Sequence, residues 1–342
     1  MHQLETPSAP IEHAHGTGAS PAPRLRTLTA QDADDLARKL SGWQQVYDQI
    51  TCGAFSGVLD ELRLPDMQVF RERINQSVHQ TCRVRPGAFW FGLPVESDAS
   101  RINGRPVHLA AVMARPGNRQ FELVTPPGHD IYGIVVSRSL LEEGERRNGA
   151  VALLDELDRA EILLVDPDAR MRCLRALSGV LGEEDHADAA AMQDRVVDAL
   201  LRMLGTANIE TAAHQSRQRR QHIVTRARAY ACAHRMRAVG VPELCEHVHV
   251  SRRTLQYCFE DILGLSPAIY LRRLRLNAIR RTLLDHADRA PCIGSVAADW
   301  GMDNFSQFSS DYKKLFGASP SAYIKMCRRE QRLDGAPCRG TG

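Results

Sequence analysis

Two stretches, SRRTLQYCFEDILGLSP (residues 251–267) and NFSQFSSDYKKLFGASP (residues 304–320), decide the fold of the C-terminal part of the chain. They repeat at an offset of 53 residues, and each ends in Gly-x-Ser-Pro. Spacings of three and four put the apolar positions of each stretch on one helix face, as a core contact requires. Ser251 and Asn304 occupy the same register, and both are good N-caps. The matching apolar sets are Leu255, Phe259, Ile262 and Leu263 in the first stretch, and Phe308, Tyr312, Leu315 and Phe316 in the second.

A short amphipathic segment precedes each capped helix, PELCEHV at residues 242–248 and SVAADWG at residues 295–301. Each unit is therefore predicted to be a helix, a tight turn, a capped second helix and a break that opens another helix. This order predicts two helix-turn-helix units. The alternative is a helical repeat that packs and does nothing else.

The outward faces of the two capped helices carry polar side chains of the kind that read base edges in the major groove. In the first unit these are Arg253, Gln256 and Tyr257, and in the second they are Ser306, Ser309 and Ser310. We expect three further side chains to contact phosphates: Arg252, Arg272 and Arg273. Short hydroxyls discriminate bases less well, so the first unit is expected to carry most of the sequence information.

The charge of the chain is unevenly distributed. Its net charge is +3, but residues 215–332 hold 21 basic and 10 acidic side chains, which gives +11 there and −8 elsewhere. A basic part joined to an acidic part indicates a polyanionic partner for the basic part. The alternative is a solvated, arginine-rich helical surface.

The N-terminal half changes texture along its length. Residues 36–50 have apolar residues at helical spacing, including Leu36, Leu40, Trp43 and Tyr47. Short β-rich runs follow, at residues 58–64, 68–74, 88–93, 108–114, 120–124 and 131–136, with turn signals such as Asn103-Gly104 between them. Strands at this spacing are typical of a barrel or a sandwich. We predict an α+β chain with a cupin-like β-barrel, and helices from residue 138 to residue 209.

Residues 1–34 are predicted to be a disordered tail, because the stretch to Arg24 is rich in Ala, Pro, Gly and His and has no apolar core. No apolar run approaches the roughly 20 residues that a membrane-spanning helix needs. The nine cysteines are scattered without a C-x-x-C pair, which fits a reducing compartment. We therefore predict a cytoplasmic protein that does not bind a membrane.

The region from Val241 to Arg329 resembles the double helix-turn-helix domain of AraC-type regulators, on the motifs quoted above. Other blocks resemble the regulators of ethanolamine-utilisation operons in that family. They include WQQVYDQ (residues 43–49), SVHQTC (residues 77–82) and FWFGLP (residues 89–94). The resemblance implies an activator of an ethanolamine-catabolism operon that responds to ethanolamine and adenosylcobalamin. It also implies double-stranded DNA and RNA polymerase as partners, and a homodimer. DNA binding itself is expected to need no cofactor.

A pocket for a small ammonium alcohol would need an aromatic face and a carboxylate. Trp90, Glu72 and Glu122 are the candidates for these roles, although aromatic side chains on a strand are more often core. On this basis residues 35–210 are predicted to be an effector-binding and dimerisation domain, and residues 217–330 the DNA-binding domain.

No catalytic constellation stands out, so we predict that the chain is not an enzyme. Cys245, His247 and His249 lie within five residues, but no second ligand pair has zinc-like spacing, and we predict no metal site. Two alternatives remain open. One is a regulator of the same class that responds to another small amine or amino acid. The other is a small-molecule-binding or catalytic barrel whose helical tail assembles oligomers.

Overall fold

The computed structural model describes residues 25–95, 99–108, 110–148, 153–183, 188–209, 215–234, 237, 239–286 and 291–334. We call residues 25–209 of this set the β domain, and residues 215–334 the helical domain. The β domain is rich in strands and the helical domain has helices only, so the predicted α+β class is confirmed.

The bounds of the elements are as follows. The strands are β1 (Leu25–Ala30), β2 (Trp43–Gln49), β3 (Gly57–Arg63), β4 (Met67–Ile74), β5 (Val78–Val84), β6 (Ala88–Pro94), β7 (Arg101–Ile102), β8 (Arg105–Pro106), β9 (Ala111–Pro116), β10 (Phe121–Val124), β11 (His129–Ser137), β12 (Ile162–Leu164) and β13 (Asn208–Ile209). The helices are α1 (Ala33–Lys39), α2 (Arg138–Asn148), α3 (Leu153–Leu157), α4 (Pro167–Gly182), α5 (Ala189–Leu204), α6 (Gln215–Ala233), α7 (Val241–Val248), α8 (Arg252–Leu263), α9 (Pro267–Asp285), α10 (Ile293–Asp299), α11 (Phe305–Phe316) and α12 (Pro320–Asp334).

The strands form two separate sheets rather than a barrel. One sheet has the order β1-β3-β4-β11-β6-β9-β12-β13, and the other has the order β2-β5-β10-β7-β8. Among the described strands no ladder of hydrogen bonds joins the two sheets, so the predicted closed barrel is wrong. Closure needs each edge strand to pair with a neighbour, whereas these sheets meet through side chains. Alternation of apolar and polar residues along strands is the same in both architectures, and therefore could not separate them.

Two cores lie on the two faces of the eight-stranded sheet. Between the sheets, Phe70 and Trp90 of the eight-stranded sheet pack with Val78 and Phe121 of the five-stranded sheet. The other face packs in a second cluster against α2, α4 and α5, as the predicted helices after residue 138 require. Helix α4 begins at Pro167, where the Asp166 carboxylate accepts a hydrogen bond from the Ala169 amide at 2.8 Å.

Two local predictions in the β domain are wrong. Residues 36–50 are not one helix: α1 ends at Lys39, Gly42 adopts φ +76°, and β2 then pairs with β5. Tyr47 points into the core while Val46 is 41% exposed, so the apolar residues alternate as a strand requires. The predicted tail is also too long, because β1 pairs with β3 from Leu25 onward. Its first 24 residues lie outside the described part of the chain.

The helical domain has two small cores that share one long helix. The first contains Leu244, Leu255 and Phe259 together with Leu271 of α9. The second contains Phe308 and Tyr312 together with the later residues Leu276, Ile279 and Leu283 of α9. Helix α9 therefore connects the two units rigidly. No helix in the described part of the chain is long and apolar enough to cross a bilayer.

Candidate nucleic-acid interface

The first helix-turn-helix unit consists of α7 and α8. Its turn contains His249 in the left-handed conformation, at φ 56°, with its amide bonded back to α7. Ser251 then caps α8 by accepting from the Thr254 amide at 3.1 Å, as predicted. His247 stacks on Tyr230 at 4.1 Å, so the histidines of this segment serve the turn and the packing. Within the described residues, no group of three or more His, Cys, Asp or Glu side chains could hold a metal ion.

The outward face of α8 presents the predicted base-reading residues of the first unit. Arg253 is exposed, and Tyr257 is 56% exposed. Gln256 is half-buried and donates from Nε2 to Glu260 Oε1 at 2.5 Å. The core residues of α8 lie on the opposite side, so these polar side chains are available to a partner outside the domain. A contact between Gln256 and a base would replace its hydrogen bond to Glu260.

The second unit consists of α10 and α11 and repeats this arrangement. Asn304 caps α11 by accepting from the Gln307 amide at 3.0 Å. The predicted readers Ser306 and Ser310 are exposed, and Ser309 is half-buried. Gln307 is also exposed and donates from Nε2 to Asp311 Oδ1 at 3.1 Å.

Gln307 is a candidate reader that the sequence prediction missed. The repeat offset aligns it with Thr254, a position not assigned to base contacts. Its amide can donate and accept at once, which suits an adenine edge better than a serine hydroxyl does. The signal was its long polar side chain in the first turn of a capped helix.

The three predicted phosphate contacts differ in their surroundings. Arg252 is exposed at the start of α8, and Arg273 is half-buried on α9. Arg272 of α9 forms an ion pair with Asp311 of α11. The Arg272 side chain is still 47% exposed, so it links the connecting helix to the second unit and faces solvent at the same time.

The predicted effector residues do not come together. Glu72 accepts from the Tyr47 hydroxyl at 2.8 Å and from Gln80 Nε2 at 3.2 Å, across the space between the sheets. Trp90 lies in the same core and stacks on Phe121 at 4.9 Å. Glu122 instead faces the helical domain, so only Glu72 and Trp90 share one interior.

The Glu72 carboxyl and the Trp90 indole nitrogen are both buried in unusual environments. Burial raises the pKa of Glu72 to about 7, although hydrogen bonds from Tyr47 and Gln80 lower it in part. The indole nitrogen of Trp90 is buried without a hydrogen-bond partner. A buried carboxyl that titrates near neutrality and a buried donor without a partner are each features found at ligand sites.

Glu122 belongs to a buried contact between the two domains. Its carboxylate pairs with Arg228 of α6, and its Oε2 lies 3.6 Å from Nε2 of His79. Burial raises the pKa of Glu122, but the charge of Arg228 has the larger effect. The pKa therefore falls from its ordinary value of 4.5 to about 2. Burial also lowers the pKa of His79, and the nearby Arg228 lowers it more. The contact is therefore an ionised Glu122–Arg228 pair beside a neutral histidine.

Helix α9 makes a second set of contacts with the β domain. Arg280 forms a buried ion pair with Asp32, the residue that caps α1, and lies 3.8 Å from the Tyr323 ring centroid. Asn277 accepts from the Gln49 amide at 2.9 Å and donates to its carbonyl at 3.0 Å. A further ion pair joins Arg281 to Asp48 at 2.8 Å. The β domain therefore contacts the connecting helix from Asn277 to Arg281, over about one turn.

The C-terminal end of α11 also contacts the β domain. The Gln49 side chain donates to the Leu315 carbonyl at 2.8 Å, and the Gly53 amide donates to the same oxygen at 3.0 Å. Arg228 lies on α6, which packs in the core of the first unit, so both units are joined to the β domain. Their relative orientation thus depends on that domain.

Comparisons with known proteins agree with this geometry. Residues 244–326 match the family model described as "Helix-turn-helix domain". The chain is 25% identical over 202 residues to the probable thc operon regulatory protein of Rhodococcus erythropolis, which covers 57% of this chain and 61% of that protein. It is 31% identical over 94 residues to the XylDLEGF operon transcriptional activator of Pseudomonas putida, which covers 28% of this chain and 29% of that protein.

A solved structure of a Chromobacterium violaceum transcriptional regulator with an AraC-type DNA-binding domain is 28% identical to the chain. It covers 31% of this chain and 93% of that one, with a TM-score of 0.29. The chain spans less than two thirds of the length of the curated relatives named above. The family match coincides with the part of the chain that carries the two units. Residues 244–326 therefore form a helix-turn-helix domain.

Proposed function

We propose that this chain is a sequence-specific DNA-binding regulator of transcription that acts as an activator. The observation that carries the proposal is the pair of capped helices, α8 and α11, with apolar inner faces and polar outer faces. The excess of basic residues in the helical domain favours attraction to DNA. The names of the relatives, both operon regulators, support the same conclusion.

The connecting helix, α9, sets the distance between the two proposed base-reading helices, α8 and α11. Helix α9 has 19 residues and is therefore about 28 Å long, at about 1.5 Å per residue. This length is comparable with the roughly 34 Å between successive major grooves on one face of a duplex. One chain would then read two adjacent grooves and protect an asymmetric site.

A duplex selected by the full-length chain from a random pool provides the test. Footprinting on it should show contacts in two successive major grooves for each bound chain. Arg253→Ala should lose about 1–3 kcal/mol on this duplex and little on a scrambled one. Arg175→Ala is the matched control, because Arg175 is an exposed arginine on α4 of the β domain. Protection of one groove only, or equal losses on both duplexes, would argue against the proposal.

The β domain is proposed to bind the effector in the space between the sheets. A small ammonium compound would pair with Glu72 and face the aromatic cluster that contains Trp90. Ethanolamine fits this chemistry, and the sequence resemblance favours it over other small amines or amino acids. Calorimetry with each compound would separate these ligands by their affinities, and Glu72→Gln should weaken the binding of a ligand whose ammonium group pairs with Glu72.

Adenosylcobalamin enters the proposal as a co-effector from the sequence resemblance. Two clefts described in the chain hold about 330 and 340 Å³, which is too small to enclose a corrinoid. A reporter assay with ethanolamine and adenosylcobalamin, singly and together, tests the pair. If neither compound changes transcription, both are rejected as effectors, and the proposal of DNA binding still stands. Dimerisation through the β domain and contact with RNA polymerase complete the proposal.

The alternative of a catalytic barrel with a helical tail predicts no salt-dependent binding to DNA. An affinity that falls steeply with salt concentration, as phosphate contacts require, would exclude it.

A further inference from the structure

An aromatic side chain is exposed at the start of α11, the helix proposed to read bases in the second unit. Phe305 is the first residue of this helix, directly after the Asn304 cap, and it is 50% exposed. The other large apolar side chains of α11 are buried in the core of the unit, namely Phe308, Tyr312, Leu315 and Phe316. Single apolar side chains are common on protein surfaces, so the place of Phe305 in the fold decides what its exposure means.

The phenyl ring lies between the first turns of the two helices of the unit. Its centroid is 5.8 Å from that of the buried Phe308 ring. On α10, a β-carbon at the second residue, Gly294, would lie 3.9 Å from Phe305 Cδ2. In a helix-turn-helix unit the N-terminal residues of the second helix meet base edges, while the first helix crosses the DNA backbone. Phe305 therefore lies at the end of the unit that enters the groove in the proposed complex.

A phenyl ring suits one chemical feature of the major groove. It has no hydrogen-bonding group for a phosphate or a polar base edge, whereas thymine presents a C5-methyl group that apolar side chains contact. The repeat offset aligns Phe305 with Arg252, a predicted phosphate contact, so the two units differ at this position. We propose that Phe305 contacts the methyl group of a thymine and gives the second unit a base preference that its serines do not supply.

A neighbouring side chain of α11 favours the same base pair. Gln307 is exposed in the same turn, and its amide suits an adenine edge. Because adenine pairs with thymine, both contacts favour A·T pairs under α11, whereas Arg253 of α8 suits guanine. The inference rests on the proposed DNA binding and extends it to a site with two chemically different halves.

Uracil substitution tests the contact at the level of one methyl group. Each thymine of the duplex selected by the full-length chain is replaced in turn by uracil, which keeps the base pair and removes only the C5-methyl group. We expect uracil at one position to weaken binding of the unmodified chain about four-fold, the factor that one buried methyl group contributes. Phe305→Ala should bind the thymine duplex more weakly and no longer distinguish thymine from uracil at that position. Phe305→Leu should keep most of the discrimination, because leucine retains an apolar contact.

Met171→Ala is the matched control, because Met171 is a similarly exposed apolar residue on α4 of the β domain; it should distinguish the two bases fully. Discrimination that persists in Phe305→Ala would overturn the proposal, and so would a selected duplex in which no uracil substitution weakens binding. A change in the oligomeric state of Phe305→Ala without DNA would also overturn it, by assigning the ring to an interface between copies of the chain. If the unmodified chain selects no duplex, DNA binding itself is rejected, so the two failures are distinguishable.

Discussion

Replacing Glu72 by glutamine should change how the stability of the chain depends on pH. The ordinary pKa of this carboxyl is 4.5, and burial between the sheets raises it to about 7. Below pH 4.5 both the folded and unfolded states hold the proton. Between pH 4.5 and 7 only the folded state holds it, so rising pH reduces the stability. At about 1.4 kcal/mol per pH unit, the loss reaches about 3 kcal/mol by pH 7 and then levels off.

Glu72→Gln cannot ionise, and it therefore escapes this loss. Urea unfolding at a series of pH values should show the free energy of unfolding of the variant, relative to the unmodified chain, rising by about 3 kcal/mol between pH 4.5 and 7.5. The comparison is needed because burial lowers the pKa of His129 to about 4. That shift makes the folded state more stable as pH rises from about 4 to 6.5, in both proteins alike.

Glu142→Gln is the control, because Glu142 is exposed on α2. A constant difference between Glu72→Gln and the unmodified chain across the whole range would refute the reasoning, since Glu72 would then ionise normally in the fold. The same carboxyl also gives a signature for the proposed effector. A cation bound beside Glu72 would release its proton near pH 6, so the binding enthalpy should vary with the ionisation enthalpy of the buffer.

Three further predictions concern the helical domain. Gln307→Ala should lose about 1–3 kcal/mol on the selected duplex and little on a scrambled one, because it removes a paired donor and acceptor; equal losses would assign Gln307 to the backbone. Arg272→Ala should weaken binding to both duplexes alike and flatten the salt dependence measured by titration, whereas a loss confined to the selected duplex would contradict a phosphate contact. Asp32→Asn should cost about 3–5 kcal/mol in urea unfolding because it strands the buried Arg280, while Asp60→Asn, in an exposed pair, should cost about 0–1 kcal/mol.

The helix-turn-helix units were predictable because their signals are local. Ser251 and Asn304 cap their helices as expected, and Gly264 and Gly317 end them in the left-handed conformation. Caps, terminal glycines and a 3.6-residue period all lie within a dozen residues of one another. A repeat of the whole pattern then doubles the signal, so the sequence alone identifies both recognition helices.

The β domain was predicted less well because its structure depends on distant pairing. Strand β2 has helical spacing of its apolar residues, and only its pairing with β5, some 35 residues later, makes it a strand. The separation of the sheets and the position of Glu122 follow from the same long-range contacts. Asp32 and Arg280 are 248 residues apart, and no local pattern links them. Distances of this kind are set by tertiary packing, which overrides local propensity.

The ion pairs between the domains bear on how such a regulator could be recombined in evolution or by gene fusion. Among the described residues, three close ion pairs at the junction join a buried carboxylate of the β domain to an arginine of the helical domain. The pairs are Asp32–Arg280, Asp48–Arg281 and Glu122–Arg228. A hybrid that joined this β domain to the DNA-binding half of another protein would bury unpaired charges unless the arginines came with it. The two halves are therefore exchangeable only as a charge-matched set, and a lineage that changes one side must change the other.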